Sequence, residues 1–279
     1  MAEPVVLLVD NGSRRAAATL SLRAIAADLA EVCGRQVHPV SLQHSGDIAP
    51  DELDGTPARV LEEFLRDQLE KGRREFVAVP LFFGKSRALT AFVPQKLDLL
   101  TKEFGPFEFR MADVLSPMPE GEPLLADILA DNVTHGCAVM GTEANCVIVV
   151  DHGSPLPEVT AVRAKVTMTL RERLAEGIQL TQAVMERRQA AEFDFNGMLL
   201  GDLLDACVAP GGAAAVVLAM MFISPGRHAG PGGDIEAICA DAMARNPGLQ
   251  LSVSPLIGQH PLLIDILKAR LDAVLQPIK

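Results

Sequence analysis

The stretch "CVIVVDHGSP", residues 146–155, decides the fold when it is set beside "VVLLVDNGSR", residues 5–14. Both are apolar runs that end in Asp-X-Gly-Ser, with Asn11 as X in one and His152 in the other. Neither run alternates polar with apolar residues, as a half-exposed strand does. A short continuous apolar run closed by a turn suits a parallel strand covered on both faces.

The two stretches belong to a longer duplication. "PLLADIL" at residues 123–129 recurs as "PLLIDIL" at 261–267, each shortly after a Ser-Pro. Between them "VAVPLFFGKSRA" (77–88) matches "VLAMMFISPGRH" (217–228), with Phe82 on Phe222 and Arg87 on Arg227. The offset narrows only from 141 residues (151 − 10) to 138 (261 − 123). A unit of this length is a whole domain, so duplication and fusion of one α/β domain is the simplest account. The boundary is placed near Gly141, which predicts domains 1–141 and 142–279.

Apolar runs at 5–9, 76–83, 146–150 and 213–223 read as buried strands. Segments 16–32, 58–71, 159–175, 199–206 and 261–275 carry the spaced apolar positions of helices. Strand, turn and helix in alternation predict two tandem doubly wound parallel-sheet domains of flavodoxin-like type. In such sheets ligands sit beyond the carboxyl ends of the strands, where strand order reverses. Each Asp-X-Gly-Ser falls there.

Composition narrows the partners. A chain of 279 residues with 49% hydrophobic residues buries a full core, and a net charge of -11 with pI about 5.0 disfavours nucleic acid and anionic membrane. The five cysteines form no C-x-x-C pair and read as reduced thiols. No apolar run approaches the ~20 residues of a membrane span, and the N-terminus shows no basic leader. The expected compartment is cytoplasmic, and the expected state is a monomer or a homodimer.

Three positions at the predicted ligand edge differ between the halves. Asn11 stands against His152, Ala88 against His228 and, by aligning "QVHPVSLQH" with "QLTQAVMER", Gln43 against Glu186. In a strand order of 2-1-3 these positions are neighbours, with strands about 4.8 Å apart. His152, Glu186 and His228 therefore form a candidate metal and catalytic site, and two imidazoles with a carboxylate suit cobalt, nickel, iron or zinc. Taken singly, each has a plainer reading. Asp151 and Ser154 suit a helix cap, and Glu186 in "MERR" suits a solvated charge run. His38, His44, His135 and His260 read as structural.

At these residues the chain resembles the CbiX-type sirohydrochlorin chelatases of the class II tetrapyrrole chelatase superfamily. The resemblance rests on "DHGS" (151–154), "FISPGRHAGPGGDI" (222–235) and "GQHPLLIDIL" (258–267), and extends in degenerate form over the first half. It implies a lyase that inserts Co²⁺ or Fe²⁺, with Ni²⁺ a further option, into sirohydrochlorin or a related tetrapyrrole for siroheme or cobalamin. It also implies paired histidines that bind the metal and assist proton removal. The absence of a G-x-x-x-x-G-K-[ST] loop agrees with chemistry that uses no ATP or other nucleotide. With Asn11 and Ala88 in the histidine positions, one metal site per chain is expected.

Insertion removes two pyrrole protons, so a neutral imidazole or a carboxylate must act as base. Few protein ligands leave coordination positions open to the macrocycle. Ser154, Gly226 and Arg227 are expected to border the tetrapyrrole. Arg227 is the first choice of cation for its carboxylates, with Arg163, Lys165, Arg187, Arg188, Arg14, Arg15 and Arg87 behind it. The second reading is a carrier that holds metal or tetrapyrrole without insertion; a structural or regulatory role is the third.

Overall fold

The computed structural model describes residues 3–208 and 214–276. The chain runs β1 (Val5–Asp10), α1 (Ala16–Cys33), β2 (Val37–Ser41), α2 (Leu61–Glu70), β3 (Glu75–Pro80), α3 (Val93–Phe104), β4 (Glu108–Met111) and α4 (Pro123–Met140). The same alternation follows in β5 (Cys146–Asp151), α5 (Pro157–Arg171), β6 (Gln179–Val184), α6 (Leu200–Cys207), β7 (Ala214–Met220), α7 (Asp234–Arg245), β8 (Leu249–Val253) and α8 (Leu262–Leu275). Ala213, at the start of the third predicted strand of the second half, lies outside the described residues. Two parallel sheets result, ordered β2-β1-β3-β4 and β6-β5-β7-β8. The tandem α/β fold is thus the expected one, with a fourth strand added to each sheet.

Burial on both faces explains the continuous apolar runs. Val5, Leu7 and Val9 pack in one cluster with Leu61, Phe64 and Leu65 of α2 and with Val93 and Leu100 of α3. Cys146, Ile148 and Val150 do the same with Leu200 and Leu204 of α6 and with Cys239 and Ala242 of α7. The intervening Val6, Leu8, Val147 and Val149 are equally buried. Each such aliphatic side chain contributes about 1.5–3 kcal/mol. The helix read at 58–71 begins only at Leu61, because Ser41 donates its amide to the Arg59 carbonyl at 2.8 Å and bridges Val60, which keeps that segment extended.

Two compact units divide the chain: Met1–Pro117 with Ile264–Lys279, and Met118–Leu263. Each therefore draws its last helix from beyond the repeat boundary at Gly141. In the first unit, Arg270 of α8 donates to the Val114 and Leu115 carbonyls at 2.9 and 3.0 Å, and Arg110 of β4 donates to the Val274 carbonyl at 2.9 Å. In the second, α4 packs on α5, β7 and β8, and Asn132 donates to the Pro255 carbonyl at 3.1 Å.

Beneath the end of β5 lies a buried charge. Arg163 of α5 is 2% exposed; it ion-pairs with Asp151, donates to Gln182 of β6 at 3.0 Å and to the Asn196 carbonyl at 2.6 Å. Burial still raises the Asp151 carboxyl, with Arg163 opposing the rise. Twelve residues after Asp10, the matching position holds Leu22, also buried. Among the described residues no cation is paired with Asp10, and its Oδ1 is buried without a hydrogen-bond partner. Burial, offset in part by Ser41 and the Gly12 amide, pushes that carboxyl up from 3.8 to about 6.

A carboxyl that holds its proton more tightly in the folded state stabilises the fold fully below 3.8, and this contribution is lost as pH rises through 6. Asp10→Asn, which cannot ionise, is expected to be more stable than the wild type at pH 8 by on the order of 2 kcal/mol. The gap should narrow as pH falls through 6 and close only below 3.8, as read from urea midpoints. Arg163→Leu should act oppositely in the second unit, costing on the order of 3–5 kcal/mol by leaving Asp151 buried and unpaired. Adding Asp151→Asn should recover part of that loss.

Candidate functional site

The Asp-X-Gly-Ser turn is shaped by a close backbone approach. Gly153 has φ +94°, and a Cβ placed on it would lie 2.1 Å from the Glu186 carbonyl oxygen. The Met185 amide donates to the Asp151 carbonyl at 2.8 Å and the Glu186 amide to the His152 carbonyl at 3.1 Å, so the turn is laced onto the segment that follows β6. Asn196 clamps it from the other side. Its Oδ1 accepts from the Ser154 amide at 3.0 Å and from Thr160 at 3.1 Å, while its Nδ2 donates to the Ser154 carbonyl at 2.9 Å.

This lacing brings the three predicted residues into contact. His152 Nε2 lies 3.2 Å from Glu186 Oε1, and the His152 and His228 rings meet edge to face with centroids 4.6 Å apart. His152 Nδ1 faces the Gly153 carbonyl at 3.1 Å. His228 is fixed by Asp234 at the start of α7, whose Oδ2 lies 2.6 Å from Nδ1. As placed, no group of three or more His, Cys, Asp or Glu side chains among the described residues is set to hold a metal ion. Gathering Glu186, His152 and His228 onto one ion takes side-chain rotation, which their exposures of 61%, 45% and 29% permit.

The first half preserves the scaffold without the chemistry. A Cβ on Gly12 would lie 1.7 Å from the Gln43 carbonyl oxygen, and the Leu42 and Gln43 amides donate to Asp10 and Asn11 as their counterparts do. Gln43 Nε2 reaches Asn11 Oδ1 at 3.5 Å, a neutral version of the His152 and Glu186 contact.

A pocket of about 370 Å³ opens beside His152, lined also by Ser154, Glu186, Arg187, Arg188 and Phe193. Gly226 and Arg227 are not among its lining residues. Gly226 closes a tight turn by donating its amide to the Ala229 carbonyl at 2.7 Å, and Arg227 is 75% exposed, with Nε 3.8 Å from Asp234 Oδ2. The Ser154 hydroxyl accepts from the Leu156 amide at 3.0 Å, a local turn contact on the pocket wall. Arg163, ranked among the cations for a ligand, is instead consumed by Asp151. Sequence reading missed two residues. Asp234 follows His228 by six positions and opens a helix, which was a readable signal; Asn196 left none.

Both halves resemble known proteins. The CbiX family model matches residues 5–135 and again 146–274. A sirohydrochlorin ferrochelatase of Arabidopsis thaliana, described as chloroplastic, is 28% identical over 137 residues, which cover 49% of this chain and 56% of that protein. The match thus spans about half the length of that relative. Among solved structures, SirB from Bacillus subtilis with Fe³⁺ superposes with a TM-score of 0.68 at 14% identity, covering 98% of this chain and 96% of that one. The sirohydrochlorin chelatase SirB from Bacillus subtilis subspecies spizizenii in complex with cobalt gives 0.64 at 14% identity, over 98% and 95%. At such identities the structures show a shared fold. With each half matched by one family model over nearly its whole length, the chain belongs to the CbiX family.

Proposed function

We propose that this protein inserts a divalent metal ion, Co²⁺ or Fe²⁺, into sirohydrochlorin or a closely related tetrapyrrole without nucleotide, using His152, Glu186 and His228. One observation carries the reading: the two ends of the His152 ring face different acceptors. A carbonyl oxygen can only accept, so the contact with Gly153 calls for a hydrogen on Nδ1. Nε2 of the neutral ring then turns a lone pair toward the Glu186 carboxylate 3.2 Å away. Two lone pairs at that distance repel unless a positive charge lies between them, and either a proton or a metal ion supplies it. A place that accepts both suits a reaction that exchanges one for the other.

His228 complements this arrangement. With Nδ1–H donated to Asp234, its Nε2 is left as a lone-pair donor and the ring is held in one orientation. The substrate ion is then bound by two imidazoles and one carboxylate, with its other positions open to macrocycle nitrogens. As those nitrogens take the ion, Glu186 and His152 are the groups that accept the departing pyrrole protons. Membership of the CbiX family and the name of the plant relative support this substrate class.

Incubating the purified protein with sirohydrochlorin and Co²⁺, Fe²⁺ or Ni²⁺, followed by absorbance, tests the proposal. Catalytic turnover is the expected result. A spectral change limited to one equivalent would replace insertion by carriage. His152→Ala and His228→Ala should each reduce turnover by about a hundredfold or more, and calorimetry should show weakened Co²⁺ binding. Asn11→Ala should stay within about threefold of wild-type turnover, because its counterpart contact involves no charge.

A further inference from the structure

We propose that Arg188 forms a carboxylate subsite in the pocket beside His152 and pairs there with one peripheral carboxylate of the tetrapyrrole. The inference deepens the chelatase reading and rests on it. Two arginines line this pocket, and they are not equivalent. Arg187 is spent internally, donating to Asp194 Oδ1 at 2.7 Å. Among the described residues no carboxylate is paired with Arg188. Its guanidinium instead lies over the Phe193 ring, 5.1 Å from the centroid.

That stacking prepares the group for an anion. A guanidinium resting on an aromatic face keeps its N–H edge free for a planar, bidentate contact with a carboxylate. Phe193 is itself 8% exposed, and its carbonyl accepts from Asn196 at 3.1 Å. The platform is therefore anchored to the residue that clamps the His152 turn. Glu186 and His152 line the same pocket, so an arm held at Arg188 belongs to a ligand whose body reaches the site of insertion. Arg227 is a weaker choice, because it does not line this pocket and its side chain is 75% exposed.

The first half supplies an internal comparison. With Gln43 in the register of Glu186, two residues on from each, Ser45 stands where the second half has Arg188. Ser45 is fully buried. At this register position the stacked cation is thus present in the half that carries the histidines and replaced by a buried serine in the other.

The test is binding of metal-free sirohydrochlorin, by spectral titration, to wild type, Arg188→Gln and Arg188→Lys at low salt and at about 0.5 M salt. Circular dichroism checks that each variant is folded. Arg188→Gln is expected to bind about five- to tenfold more weakly at low salt. Arg188→Lys, which keeps the charge but loses the planar fork, should fall between the two. The gap between wild type and Arg188→Gln should narrow at high salt, which a purely structural role for the stacked side chain would not produce. If wild type binds and Arg188→Gln matches it within twofold, or if the gap is insensitive to salt, the subsite is overturned and the chelatase reading stands. If wild type binds no sirohydrochlorin at either salt, the chelatase reading falls and the subsite with it.

Discussion

The carbonyl oxygen of Glu186 occupies the space that a side chain on residue 153 would need. This single close approach fixes how the turn after β5 folds back on the segment after β6. The two hydrogen bonds donated by the Met185 and Glu186 amides follow from it, and with them the placement of residue 152 beside residue 186. The same approach recurs between Gly12 and Gln43. Glycine is thus required by the scaffold in both halves, while the residue before it is free to carry chemistry or not. His152 against Glu186 and Asn11 against Gln43 are two fillings of one backbone geometry.

Electrostatics below the turn separates the halves further. In the second, Arg163 ties together the ends of β5 and β6 and the turn at Asn196, so the loop bearing His152 stands on a hydrogen-bonded floor. In the first, Leu22 fills the space with hydrocarbon, and Asp10 retains a carboxyl with one buried oxygen unpartnered. If the second half binds and releases a divalent ion as proposed, its ligand-bearing turn has to stay in place while charge comes and goes. A neutral pair such as Asn11 and Gln43 makes no such demand. The cation under the floor and the imidazole above it occur together, and both are absent from the first half.

Much of this was legible in the sequence, for identifiable reasons. Central parallel strands are apolar without a period, so β1, β3, β5 and β7 stood out. Edge strands did not: "EFRM" of β4 is partly exposed along its length, and "LQLSV" of β8 mixes buried and exposed positions. The histidines were found by comparing the halves, since each alone is ambiguous. Glu186 was found by aligning "QVHPVSLQH" with "QLTQAVMER", and matching backbone bonds hold Gln43 and Glu186 in the same register. Arg163 was misread because a helical arginine is ordinarily solvated. Its place on the same buried face as Thr160, Val166, Thr167 and Leu170, opposite Leu22 in the repeat, was the available signal. Asn196 works through contacts 33 to 42 residues away, which no local pattern encodes.

The chemical inequality of the halves does not make them separable. The unit that bears His152 and His228 includes α4, which precedes the repeat boundary. Gly136 lets that helix lie against β7: a Cβ there would come within 2.8 Å of Val217 Cγ1, so a side chain would push α4 off the central strand. Asn132, 5% exposed, spends its amide on the Pro255 carbonyl at the base of the segment leading to α8. The Ala126, Ile128, Leu129 and Val133 side chains of α4 are buried. Covering the strand next to His152 therefore depends on residues of the half that has no histidine pair. With Asn11 and Ala88 in the positions of His152 and His228, the first half lacks the imidazole pair, yet it keeps the apolar burial through which it still supports the other.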